Sequence, residues 1–175
     1  RQTAGVGDTH PVLLTSRTSE LMRLAARILF QKCRYVLVTD TCWSPYLEIL
    51  NAERRRRGGD ITMAPIRERL RRGDCSADEV VSDLADEFRQ HRCNGLFLAA
   101  MSHDGIRLPV DAIVRSIQTV SNLQLTVIDG AQDFCHSPNH DVCDVADLYL
   151  AGCHKWLGAY HALGLAVAGR PRSFS

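Results

Sequence analysis

Seven short apolar runs, at 11–15, 35–39, 61–66, 95–101, 124–128, 147–151 and 164–168, constrain the fold of this chain more than any other feature. In most of them apolar residues follow one another without polar alternation, which is the pattern of strands buried on both faces. Amphipathic helical patterns lie between several of them, at 19–30, 45–56, 76–91 and 109–121. The first of these sets Leu21, Leu24, Ala25 and Ile28 along one stripe. Helices alternating with buried strands predict an α/β domain: three layers, α/β/α, around a seven-stranded, mostly parallel sheet. The last three runs follow one another without a long helix between them, so the alternation weakens after Asp129.

Local signals mark the element ends. Ser76-Ala77-Asp78-Glu79 is a capping box, and Pro45 and Pro109 stand where a first-turn proline is tolerated. The run Arg54 to Arg57 precedes Gly58-Gly59, where positive charge favours a helix C-terminus, so it reads as a solvated cap rather than a phosphate or RNA site. A chain of 175 residues has room for one domain of ordinary core size.

Charge narrows the partners. A formal net charge of +1 gives no field that would draw in nucleic acid or an anionic membrane, and neither is expected as a partner. No run approaches the ~20 apolar residues needed to span a bilayer. Of seven cysteines, an odd count, several fall in or beside apolar strands, where free thiols behave as small hydrophobes. A reducing, cytoplasmic setting is the expectation.

Two strand ends carry the chemistry. The run ending at Ile128 delivers Asp129, then Gly130-Ala131-Gln132, and ligands in open α/β sheets bind beyond the carboxyl ends of strands. Twenty-six residues on, a second run ends in Gly152-Cys153-His154-Lys155-Trp156, and Lys155 is one of only two lysines, the other being Lys32. Either piece alone has an ordinary explanation: an Asp capping a turn, or a solvated lysine.

Together, Asp-Gly-Ala-Gln and His-Lys-Trp at this spacing resemble the class V aminotransferase superfamily of fold-type-I enzymes, which includes cysteine desulfurases and isopenicillin-epimerase-like proteins. The resemblance runs from about Pro11 to about Arg170. It implies pyridoxal 5'-phosphate (PLP) as cofactor, Lys155 as the Schiff-base lysine, and Asp129 as the carboxylate that keeps the pyridine nitrogen protonated. It also implies that Gln132 bonds the phenolic oxygen and that His154 contacts the phosphate. Thr15-Ser16-Arg17-Thr18-Ser19-Glu20 resembles the family's phosphate loop, with the Thr18 backbone and the Ser19 hydroxyl as anion donors.

The match continues with Trp43, which would stack on the cofactor ring. Ser102 or His103, before the Asp104-Gly105 turn, would face the cofactor. Three residues depart from the pattern: Arg17 replaces a usual glycine, Gly152 replaces a frequent phosphate-binding serine, and Trp43 replaces the histidine of desulfurases. The resemblance makes 1–175 a PLP-binding large domain, with the family's small C-terminal domain not within this chain. It implies a final strand that is antiparallel, a homodimer, and an amino acid or amine as substrate. The expected reaction is transamination, with lyase, epimerase or desulfurase chemistry as alternatives and a truncated or degenerate non-catalytic domain as the opposing class.

Other readings have less behind them. Cys135, His136, His140 and Cys143 match no structural zinc spacing, so no metal is expected. Cys153 beside His154 is a thiol-nucleophile pattern only in outline. Neither a Gly-x-Gly-x-x-Gly turn nor a P-loop follows a strand.

Overall fold

The computed structural model describes residues 10–136 and 142–169. Within these residues, seven strands form one sheet: β1 (Val12–Thr15), β2 (Tyr35–Thr39), β3 (Asp60–Ala64), β4 (Gly95–Ala99), β5 (Leu125–Asp129), β6 (Leu148–Gly152) and β7 (Gly164–Ala168). Their order is β1-β7-β6-β5-β4-β2-β3. The block from β3 to β6 is parallel, whereas β7 runs antiparallel to both of its neighbours. The chain builds outward from β2 to β3 and then returns to the other side of β2 with β4. That reversal is the kind of switch point beside which α/β sheets bind ligands.

Among the described residues, six helices cover the sheet: α1 (Thr18–Lys32), α2 (Ser44–Arg57), α3 (Arg67–Arg72), α4 (Ala77–Gln90), α5 (Val110–Val120) and α6 (Val142–Val145). Alternate residues of each central strand enter opposite cores. Val36, Val38, Phe97, Val127 and Leu150 pack against α1 and α2. Leu37, Leu96, Leu98, Ile128 and Ala151 pack against α4 and α5. The result is the three-layer arrangement expected from the apolar runs. Among the described residues, no helix is long and apolar enough to cross a membrane.

Helix ends follow the local code. Ser76 Oγ accepts from the Glu79 amide, and Glu79 Oε2 accepts from the Ser76 amide, closing the capping box on α4. At the end of α2, Gly58 takes the left-handed conformation with φ 73°, Arg56 and Arg57 pair with the buried Glu53, and Arg54 pairs with Asp60. The arginine run is thus a paired helix terminus.

Three features differ from the sequence reading. β1 and β3 are not buried on both faces, because they are the two edges of the sheet: Leu13 and Leu14 are exposed, and only Ala64 of β3 is fully covered. α3 had no apolar periodicity to announce it, and it is started by Asp40, whose Oδ1 accepts from the amides of Ile66 and Arg67. The runs at 124–128 and 147–151 are each shifted by one, so that Asp129 and Gly152 are themselves the last strand residues.

Candidate active site

The carboxyl ends of β2, β4, β5 and β6 surround a cavity of about 420 Å³, a size suited to a small molecule or cofactor. Every candidate residue from the sequence lines it: Thr18, Ser19, Trp43, Ser102, Asp129, Gln132, His154 and Lys155.

Asp129 forms the floor. It is 6% exposed, and Oδ1 accepts from the Ala131 amide at 2.9 Å; among the described residues no donor is found for the other oxygen. Burial pushes its pKa up to about 6, against opposing pulls from the Ala131 hydrogen bond and the charge of Lys155. The following residue must be glycine, since a Cβ on Gly130 would fall inside the ring of Tyr149. Tyr149 in turn donates to Asp133 at 3.1 Å, which ties the turn after β5 to β6.

Lys155 stands across the cavity in the exposed loop after β6. That loop is closed by Cys153 N–H donating to the Leu163 carbonyl at 2.8 Å and by Ala159 N–H donating to the Cys153 carbonyl at 2.9 Å. Among the described residues the lysine amine has no carboxylate partner. Trp156, next to it, stacks on His136 with ring centroids 4.0 Å apart and donates from Nε1 to Gln132 Oε1 at 3.3 Å. Gln132 therefore has its oxygen engaged, and its amide donors remain for a ligand.

The opposite wall is the start of α1. Its N-cap is Arg17, which makes no side-chain capping bond, and Ser16 turns instead to Glu20. The first-turn amides of Thr18 and Ser19 are thus open, and with the helix dipole they form an anion site. Gly164 of β7 allows this approach: a Cβ there would lie 2.8 Å from the Thr18 nitrogen.

Trp43 is the N-cap of α2, partly exposed, with Tyr46 edge-on at 5.1 Å. Ser102 lines the cavity, but its hydroxyl donates to Asp104 at 2.6 Å and accepts from the Ile106 amide at 2.9 Å. It shapes the turn after β4 and has no proton left to offer a ligand. His103 lines the cavity beside it.

Sequence reasoning did not single out Tyr46 or Thr41, both buried against this cavity. Burial and the nearby Asp129 raise the Tyr46 pKa, which makes it a neutral hydroxyl wall. A pair of aromatic residues three apart at a helix start was the available signal. Among the described residues no cysteine lines the cavity. Burial, with Asp129 adding to it, pushes the Cys42 thiol up to about 12, and burial also raises Cys153. Of the cysteine and histidine set near 135–143, His140 and the side chain of Cys143 lie outside the described residues.

A buried carboxylate short of a cation on one side, with open helix amides on another, fits a flat molecule with a cationic ring nitrogen and an anionic tail. No protein-family model and no curated protein matches the sequence. Solved structures do match. A cysteine desulfurase from Thermococcus onnurineus NA1, in its apo form, aligns over 97% of this chain and 40% of its own with a TM-score of 0.73 at 16% identity. The pyridoxamine-pyruvate aminotransferase of Mesorhizobium loti aligns over 98% and 41%, at 0.72 and 16%. A cysteine desulfurase of Escherichia coli aligns over 91% and 38%, at 0.70 and 20%. The chain spans about two fifths of the length of these proteins. At such identities the likeness is one of fold, a mostly parallel seven-stranded α/β arrangement that this chain shares with cysteine desulfurases and an aminotransferase alike.

Proposed function

We propose that this chain is the cofactor-binding domain of a PLP-dependent enzyme acting at the α-amino group and Cα of an amino acid or amine, with transamination as its reaction. The observation that carries the reading is the convergence of Asp129, Gln132, His154 and Lys155 with the start of α1 on one cavity. When bound, PLP supplies an electron sink for the pair released at Cα.

This chain's residues supply the rest. Asp129, desolvated and lacking a protein cation at contact, would hold a proton at the ring nitrogen by charge pairing. Lys155 would be the amine nucleophile that tethers the cofactor, and afterwards the base that takes the Cα proton and returns it. Gln132, with its oxygen held by Trp156, would donate from its amide to the phenolic oxygen. Trp43 would cover the ring face. Thr18, Ser19 and His154 would hold the phosphate. A homodimer in the cytoplasm is part of the same reading, by resemblance.

One feature favours transamination over sulfur mobilisation: Trp43 replaces the histidine of desulfurases, and indole cannot exchange protons as imidazole does.

The decisive experiment is incubation with PLP, borohydride reduction and peptide mass mapping. A pyridoxyl adduct on Lys155 is expected, and an adduct on Lys32 would overturn the assignment. Catalytic release of sulfide and alanine from L-cysteine by the intact protein would overturn the reaction branch.

A further inference from the structure

We propose that Arg17 is an anion-binding residue of the cavity, whose guanidinium takes the phosphate of the bound cofactor in place of hydroxyls that this chain lacks or has turned away. The proposal rests on the reading of the cavity as a PLP site.

The anion end is short of free hydroxyl protons. Gly152 has no side chain, and it can have none without a shift: a Cβ there would lie 2.9 Å from Thr18 Oγ1 and 3.0 Å from His154 Cε1. Thr18 fills that space, and its hydroxyl donates backward to the Ala151 carbonyl at 3.3 Å. Thr15 donates to the Arg17 carbonyl at 2.9 Å, and Ser16 is engaged with Glu20. Three of the four hydroxyls around the start of α1 are therefore spent within the protein. Ser19, His154 and the open amides remain, which is little for a group carrying close to two negative charges.

Arg17 is placed to make up the difference. Its backbone is extended, with φ −148° and ψ 138°, and its carbonyl accepts from both Thr15 Oγ1 and the Glu20 amide. Gly164 packs directly against it, since a Cβ at 164 would lie 2.8 Å from the Arg17 carbonyl carbon. The main chain of residue 17 is thus fixed from three sides. Residue 17 lines the cavity, and its side chain belongs to an exposed residue with no ion pair or hydrogen bond among the described residues. The buried, half-satisfied Asp129 lines the same cavity at its floor, so the space is polarised, negative below and positive at the α1 end. A guanidinium can meet two phosphate oxygens at once, which a hydroxyl cannot.

The test compares PLP with pyridoxal, which lacks the phosphate, by absorbance titration of the intact wild-type protein, Arg17→Ala and Arg17→Lys. Arg17→Ala should weaken PLP roughly 10- to 100-fold, the loss of one charged hydrogen-bonding partner, and leave pyridoxal as in wild type. Arg17→Lys should recover part of the affinity. Should Arg17→Ala fail to fold, Arg17→Gln carries the same comparison.

Equal loss for both ligands, or loss for neither, would overturn the proposal, and so would wild-type binding of PLP no tighter than pyridoxal. At saturating PLP, Arg17→Ala should still give the borohydride adduct on Lys155. Absence of that adduct in the wild type overturns the cofactor reading itself. Inorganic phosphate, titrated alone, should bind wild type more tightly than Arg17→Ala whether or not the adduct forms.

Discussion

Asp129 and Lys155 face one cavity from adjacent parallel strands, yet the first is sealed in the core at the end of β5 and the second stands in an exposed loop beyond β6. The floor is made of residues that the core cannot release. Its carboxylate is desolvated, its next residue must be glycine, and its turn is tied to Tyr149. The rim is held by a few backbone bonds and one long side-chain bond to Gln132. Electrostatic tension is thus stored where the structure is rigid, and the lysine proposed as nucleophile sits in a loop held by few bonds.

The largest effect separating the two regions should come from Asp129→Asn. The amide keeps an oxygen for the Ala131 N–H but cannot hold a proton at the ring nitrogen. A low-dielectric, oriented charge pair contributes about 3–4 kcal/mol in a transition state, or roughly 10²–10³ in rate. Single-turnover kinetics of the cofactor-loaded protein should show that loss, with PLP capture less affected and the melting temperature unchanged or higher. Near-normal rates would mean that the ring nitrogen is held some other way.

The second prediction concerns pH and the floor alone. Asp129 has a pKa of about 6 in the fold against 3.8 as an ordinary carboxyl, so the native state binds its proton more tightly than the unfolded chain does. The sign follows: the ionised form costs stability. The cost is absent below the unfolded value, grows as pH rises from about 4 to about 6, and is complete above that. Its size is about 2–3 kcal/mol. Asp133, also raised chiefly by burial, adds a slope of the same sign, so wild type must be compared with Asp129→Asn. Melting curves from pH 4 to 7 should diverge between the two proteins, and saturating PLP should flatten the wild-type slope. Parallel curves would show that the floor is not desolvated.

A third measurement tests the wall between floor and rim. Gly152→Ala should destabilise by about 1–3 kcal/mol, because the new methyl meets Thr18 Oγ1. In a Thr18→Ala background that oxygen is gone, and the exposed His154 can swing away. The double-mutant cycle should then return a coupling of about 0.5–3 kcal/mol. Additive losses would mean that Gly152 is needed for a reason other than contact with α1.

Much of the floor was legible in the sequence, because each of its residues follows directly on a buried strand. The apolar runs at 35–39 and 164–168 are β2 and β7 to the residue. Asp129 and Lys155 could be proposed from strand ends and their spacing, and Gln132 and His154 from the family resemblance those two residues carry. What could not be read depends on distant contacts. β1 and β3 have the apolar composition of buried strands, but their places at the sheet edges are fixed by pairing order. α3 has a single apolar residue, Leu70, and is started by Asp40, more than twenty residues upstream. Ser102 looked available because its partners, Asp104 and Ile106, declare themselves only once the turn has closed. Arg17 stood out as a departure from a motif, and its unpaired side chain is a fact of three dimensions.

The smallest effect should come from the rim, with Trp156→Phe. Phenylalanine keeps a ring to stack on His136, now 4.0 Å away, and loses only the Nε1 donor to Gln132. That bond is 3.3 Å long and Trp156 is half exposed, so its removal should cost about 0.5–1 kcal/mol at most. The consequence for binding is conformational. Gln132 regains rotation about its amide, and a donor that was aimed by the indole must be ordered by the ligand itself. PLP affinity should fall only roughly 2- to 5-fold, since 1.4 kcal/mol corresponds to tenfold, with the adduct still on Lys155. Trp156→Ala, which removes the ring as well, should cost more than Trp156→Phe but less than Asp129→Asn. If Trp156→Phe slowed single-turnover chemistry as far as Asp129→Asn does, the indole would be directing the reaction through Gln132, and the division between a rigid floor and a permissive rim would fail at that bond.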